Sequence, residues 1–325
     1  MDFFEEWDAA KWHFTYGDED QPENKVLQGG LVIVLYMVKS YLSVHREALA
    51  GVMEQLQGLM RQQLRWGWWE HPRQKITYTP KHFLRFIQWI RQRPLTHTVS
   101  FTWSSGPGYD FVGSYGARAF SQMNLKEEAW RDISYLEIYL PVEVLQAEGR
   151  LGFEVFVQEL ASRLPVLHGH AGLGFQQCNE YHRHEHLEFE LAQQFLGFDV
   201  GNPLGHNELR DGFKSVNWYT ILDASWLDKL GGHETLAKAV HEEAKHELSL
   251  LDYDGGVIVK AGQWPCLGWV ERDPQPAAYV AANRILKSVR APTLRGLHMG
   301  SFFRQARFDD ASTDHWLRRF DAPDH

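Results

Sequence analysis

Two histidine-rich segments hold the residue types from which an active site could be built. In EYHRHEHLEFE (Glu180 to Glu190), His182 and His186 stand four apart and would share one face of a helix, with carboxylates beside them. Neutral imidazoles plus a carboxylate can ligate zinc or another transition metal, so a metal-dependent enzyme using His182 and His186 is one reading. Such a site needs three or four converging ligands, and a solvated, histidine-rich helix is the simpler reading. HEEAKHE (His241 to Glu247) has only a superficial likeness to the zinc-protease helix, because Lys245 occupies the position where the second histidine must fall. Glu243 and His246 form a lone ExxH, whereas a di-iron bundle site requires two such motifs and two further glutamates.

Other chemistries find no support in the spacing. GPGYDFVG (Gly106 to Gly113) lacks the spacing of a dinucleotide fingerprint, and no GK[ST] is present for a phosphate loop. There is no GxSxG elbow. Cys178 and Cys266 each lack a local signature of an activated thiol. These patterns single out no catalytic residue and no cofactor site, although catalytic groups can converge from anywhere in a fold.

The elements that would position these residues alternate between two periods. GLVIVLYMV (Gly30 to Val38) is a short β-branched apolar run and predicts a buried strand. Leu49, Val52, Met53, Leu56, Leu59 and Met60 then mark one face of a helix. Thr79-Pro80 predicts a helix start, with Phe83, Phe86, Ile87 and Ile90 as its core face. HTVSFTW (from His97), SYGARAFSQM (from Ser114) and SYLEIYLP (from Ser134) predict an antiparallel meander, with GPGYDFVG as a hairpin loop. Further helices are expected over about 152–164, 184–195 and 234–248, and strands over 168–176 and 255–262. A last helix is capped by Asp273-Pro274 and runs to about 289. In VNWYTILDASWLDKLGG (Val216 to Gly232) a strand leads to a short helix capped by Asp223 or Ser225 and stopped by Gly231 or Gly232.

With no regular βαβ repeat, these elements predict an α+β fold, a largely antiparallel or mixed sheet packed with amphipathic helices in one compact unit. The expected organisation is an acidic, aromatic segment over 1–24, a single α+β domain over 25–290, and a polar, loosely packed tail over 291–325.

The chain has 325 residues, 44% apolar and 23% charged, which excludes extended disorder. A net charge of −9 argues against direct nucleic-acid binding and suits a basic partner. Two cysteines make no disulfide framework. The acidic start MDFFEEWDAA does not read as a signal, and no apolar run is long enough to span a bilayer, so a cytoplasmic protein is expected.

The order of several segments resembles the TsiV-like family of type VI secretion immunity proteins, linked to VRR-NUC nuclease effectors. The resemblance begins at GLVIVLYMV, passes through SYLEIYLP, LPVLHGHAGLGF and LGFDVGNP, and is densest over Phe213 to Gly232 and Gly255 to Arg290. It departs at Gly268-Trp269, where Gly is followed by Asp in many relatives. It implies a non-enzymatic antitoxin that binds a cognate effector with a basic, nucleic-acid-binding surface. The acidic residues expected to meet that partner are Glu180, Glu185 and Glu188 on the histidine-rich helix, and Asp252 and Asp254 before the Gly255 strand.

Overall fold

Alternating and continuous apolar runs place strands across the whole chain, and the computed structural model describes them within residues 2–70, 74–147, 149–179, 181–273, 275–298 and 306–321. The strands are β1 (Thr15–Gly17), β2 (Lys25–Met37), β3 (Trp66–Trp69), β4 (Ile76–Thr77), β5 (Val99–Ser104), β6 (Gly116–Ser121), β7 (Ser134–Leu140), β8 (Val166–Gln177), β9 (Tyr219–Asp223), β10 (Leu248–Tyr253) and β11 (Gly256–Ala261). They form one sheet in the order β10-β11-β9-β8-β2-β7-β6-β5-β3-β4, with β1 beside the start of β2. Every pairing between these strands is antiparallel.

The helices are α1 (Phe3–Ala10), α2 (Ser43–Met60), α3 (Pro80–Gln92), α4 (Asn124–Ala129), α5 (Val144–Ala147), α6 (Gly149–Arg163), α7 (Glu185–Ala192), α8 (Ala224–Lys229), α9 (His233–Glu242), α10 (Ala277–Leu286) and α11 (Asp310–Leu317). As predicted, Thr79 caps α3 by accepting the N–H of His82, and Phe83, Phe86, Ile87 and Ile90 are its buried face. Asp223 caps α8, and Gly231 and Gly232 follow it at φ +86° and +90°, conformations that favour glycine. The GPGYDFVG segment does lie between β5 and β6, folded so tightly that a Cβ on Gly113 would stand 2.2 Å from the Gly106 nitrogen.

Residue pairing sorts the side chains onto two faces. On the front, Trp69, Phe101 and Trp103 pack against Phe83 and Phe86 of α3. Further along, Glu154 of α6 binds Lys260 and Tyr219. On the back, one cross-strand row runs Trp68, Thr102, Arg118, Glu137, Val34, His170, Thr220 and Val259.

Several expectations change. The helix predicted over 234–248 ends at Glu242, because Glu247 adopts a left-handed φ of 57° and Leu248 opens the edge strand β10. The last long helix starts at Ala277 after Pro276, while Pro274 of the expected cap lies outside the described residues. The described part of the tail, residues 291–298 and 306–321, is not loosely packed. Leu294, Leu297, Phe308, Trp316, Leu317 and Phe320 are buried, and one apolar cluster runs from Phe3 to Phe320. Apolar side chains widely spaced among Arg and Asp supply the contacts that a mean polarity conceals.

Candidate functional site

The sequence-selected acids fall in different environments. Glu180 lies outside the described residues. Glu185 and Glu188, expected on an acidic surface, are each only 1% exposed, so they are not available to a partner. Glu188 is held by His298 (2.6 Å) and accepts the N–H of Gly201, and Glu185 takes a hydrogen bond from His182 (2.8 Å). Their burial follows from those partners, since a carboxylate leaves water only when paired and hydrogen-bonded. Asp252 and Asp254 are exposed at the β10–β11 hairpin, with Asp252 bonded to His233 at 2.7 Å.

His182 sits in a single turn of 3₁₀ helix before α7, so it does not share a continuous helical face with His186. Among the described residues, no group of three or more His, Cys, Asp or Glu converges as a metal site requires. Burial pushes the Cys266 thiol up to about 12, the opposite of an activated nucleophile.

The back of the sheet has a sealed half and a half-open half. In the sealed half, His170 lies 3.0 Å from Asp199, a contact too poorly aligned for a good hydrogen bond, and Lys214 donates to Asp199 at 2.8 Å. Burial alone would raise the Asp199 carboxyl, but His170 and Lys214 together hold it well below the usual carboxylate range. Burial pushes His168 down to about 3, although its ring bonds the Leu209 carbonyl at 2.6 Å. Trp226 of α8 meets His168 edge-on, and Lys214 lies 5.6 Å from the Trp316 ring of α11. These contacts close that half.

Over β3, β5 and β6, Trp68, Ser100, Arg118 and Phe120 remain partly exposed between buried neighbours. Arg118 is ion-paired with Glu137 and lies over Tyr139 (5.6 Å), and Tyr139 accepts the Gln177 N–H. Glu137 and Tyr139 hold Arg118 well above its ordinary value, against the burial that lowers it. This depression is walled by Phe111 and Gly113 of the β5–β6 loop and by Asn179.

Next to that wall is a second, wider cleft of about 420 Å³. It is lined by Tyr16, Asp18, Glu19 and Asp20 on one side and by Arg183, His184 and His186 on the other. Asn179 donates to the Tyr109 carbonyl and Val112 to the Lys25 carbonyl, which joins the two depressions. Burial lowers the His184 pKa, helped by Arg183 and His186 and opposed by Asp18 and Asp110. The sequence reading passed over Asp18, Glu19 and Asp20, although the Asp-Glu-Asp run was visible. It also passed over Arg118 and Glu137, because their meeting depends on strand register.

These features describe an α+β protein with one antiparallel sheet, in which half of the sheet's back and the flank beside it form open depressions. The TsiV family model, described as type VI immunity for VRR-NUC, matches residues 48–320, and the chain belongs to this family of type VI immunity proteins. The match extends past Arg290, in agreement with the packing of the tail. A solved structure, Pseudomonas aeruginosa T6SS protein PA0821, has the same fold at a TM-score of 0.86 and 25% identity, covering 99% of this chain and 92% of that one. No curated protein matches the chain. No helix among the described residues is long and apolar enough to cross a membrane.

Proposed function

We propose that this protein binds a cognate type VI effector, a nuclease of the VRR-NUC type, and neutralises it by covering a surface the nuclease needs. It acts as a protein ligand rather than an enzyme, uses no cofactor and binds no nucleic acid itself. Its place is the cytoplasm of the producing cell, where the DNA is. Membership of the immunity family over residues 48–320 carries this reading. Charge supports it: a nuclease surface built for phosphates is positive, and a chain of net charge −9 gains steering and complementarity from meeting it. Of the acids first singled out, the exposed Asp252 and Asp254 stay in this proposal as contacts, and the buried Glu185 and Glu188 do not.

Co-expression with the neighbouring effector gene tests the reading. The protein is expected to restore growth and to co-purify with the effector's nuclease domain. If it neither rescues nor co-purifies, the proposal is wrong.

A further inference from the structure

The charge of the chain is concentrated. Residues 1–24 hold eight carboxylates against one lysine, Lys11, a net −7 of the chain's −9. The fold fixes this segment in place. Phe3, Trp7 and Phe14 anchor it in the core, β1 pairs with β2, and Asp18 closes the intervening turn by accepting the N–H groups of Asp20 and Gln21. With those anchors buried, Asp8, Glu19, Asp20 and Glu23 are left exposed, and Glu190 near Tyr16 and Glu271 and Asp273 near Glu6 add to the same flank, against the cations Arg183 and Arg272. The Val270 N–H donates to the Gln194 carbonyl beyond the end of α7, which joins the 269–273 segment to that helix.

Two apolar side chains are uncovered there. Trp12 is 76% exposed and Val270 39% exposed. His13 packs on Trp269 at 5.1 Å, so the backbones of Trp12 and Val270, their chain neighbours, run close together. A large uncovered tryptophan ringed by polar groups has the anatomy of an interface anchor. The cleft of about 420 Å³, with Asp18, Glu19 and Asp20 on one wall and Arg183 on the other, opens on the same flank. The segment precedes the residues that the family model matches, so that match does not account for it.

We propose that this flank is the docking face for the basic, phosphate-binding surface of the effector nuclease. Trp12 and Val270 are its apolar anchors, and the cleft lined by Asp18, Glu19 and Asp20 receives a lysine or arginine side chain. The inference rests on the function proposed above, and charge complementarity selects the occupant. A face of this sign repels nucleic acid and attracts the protein surface that binds it.

The test measures association of the full-length chain with the purified nuclease domain of the neighbouring effector, at low and high salt. The triple reversal E19K/D20K/E23K alters exposed loop positions only, and an unchanged thermal melt confirms folding. It is expected to slow association about tenfold or more at low salt and to flatten the salt dependence. Trp12→Ala is expected to speed dissociation. The reversal D252K/D254K, on the hairpin at the sheet edge, is expected to slow association less than the triple reversal does, as contacts outside the docking face should. The proposal is overturned if the folded triple variant associates like the parent with the same salt dependence, or if only D252K/D254K loses binding. Failure of the unaltered chain to bind is a different outcome and defeats the proposed function along with this face.

Discussion

On the back of the sheet a single cross-strand row carries Arg118 and Glu137 at one end and His170 at the other, yet the two ends meet different surroundings. His170 belongs to a network with Asp199 and Lys214 that is sealed by the 195–218 segment, α8 and α11. Arg118 and Glu137 are bordered by a loop, and the Arg118 side chain keeps 14% of its surface in contact with solvent. The same residue chemistry therefore serves two ends. Where water is excluded, each charge must be matched and the network ties the C-terminal segment to the sheet. Where water reaches, the pair sets the shape and charge of a surface.

Mutations on the two sides should separate these roles. Lys214→Ala leaves the buried Asp199 carboxylate without its closest cation and is expected to cost about 3–5 kcal/mol in urea unfolding. Acid should act on the same half. Folded His168 titrates at about 3 and His206 at about 4, each lowered chiefly by burial, whereas an unfolded histidine takes up its proton near ~6.5. A lowered pKa contributes stability above the unfolded value and loses it as pH falls toward the folded value. Melts from pH 7 to pH 4 should thus show a loss of about 3 kcal/mol from His168 alone, and His168→Gln should flatten the profile. The smallest effect is expected on the open side: Arg118→Ala should cost about 2 kcal/mol, because Glu137 is buried but removing the partly exposed Arg118 side chain above it opens a path for water. If Arg118→Ala proves as costly as Lys214→Ala, the distinction between the halves collapses.

The local parts of this fold were legible in the sequence. Thr79-Pro80 and Asp223 announce their helices because a cap is a contact between near neighbours in the chain. The β2 and β5–β6–β7 strands follow from β-branched runs and turns. What stayed hidden depends on distant partners. Glu188 looks like a surface carboxylate until His298, 110 residues away, packs against it. Asp199 and Lys214 gain their meaning from His170, and nothing in HGHAGLGF indicates that His170 faces a buried aspartate. WGWW carries no strand signal for β3, since four residues give too short a run for a period to register. The candidate site was least legible of all. Its cleft joins residues 16–20 with residues 183–187 through the pairing of β1, β2 and β8.

The placement of β2 has a consequence for how the protein is made. This strand leaves the ribosome early with a nearly unbroken apolar run, and it pairs with β7 over residues 134–140 and with β8 over residues 166–177. At roughly 5–20 residues per second, those partners follow about 5 to 30 seconds behind it. During that interval β2 is a naked template for pairing with other chains, so nascent chains should aggregate when crowded on messenger RNA unless a chaperone shields the strand. The central pair that joins the two halves of the sheet is thus also the step of biosynthesis that waits longest for its second strand.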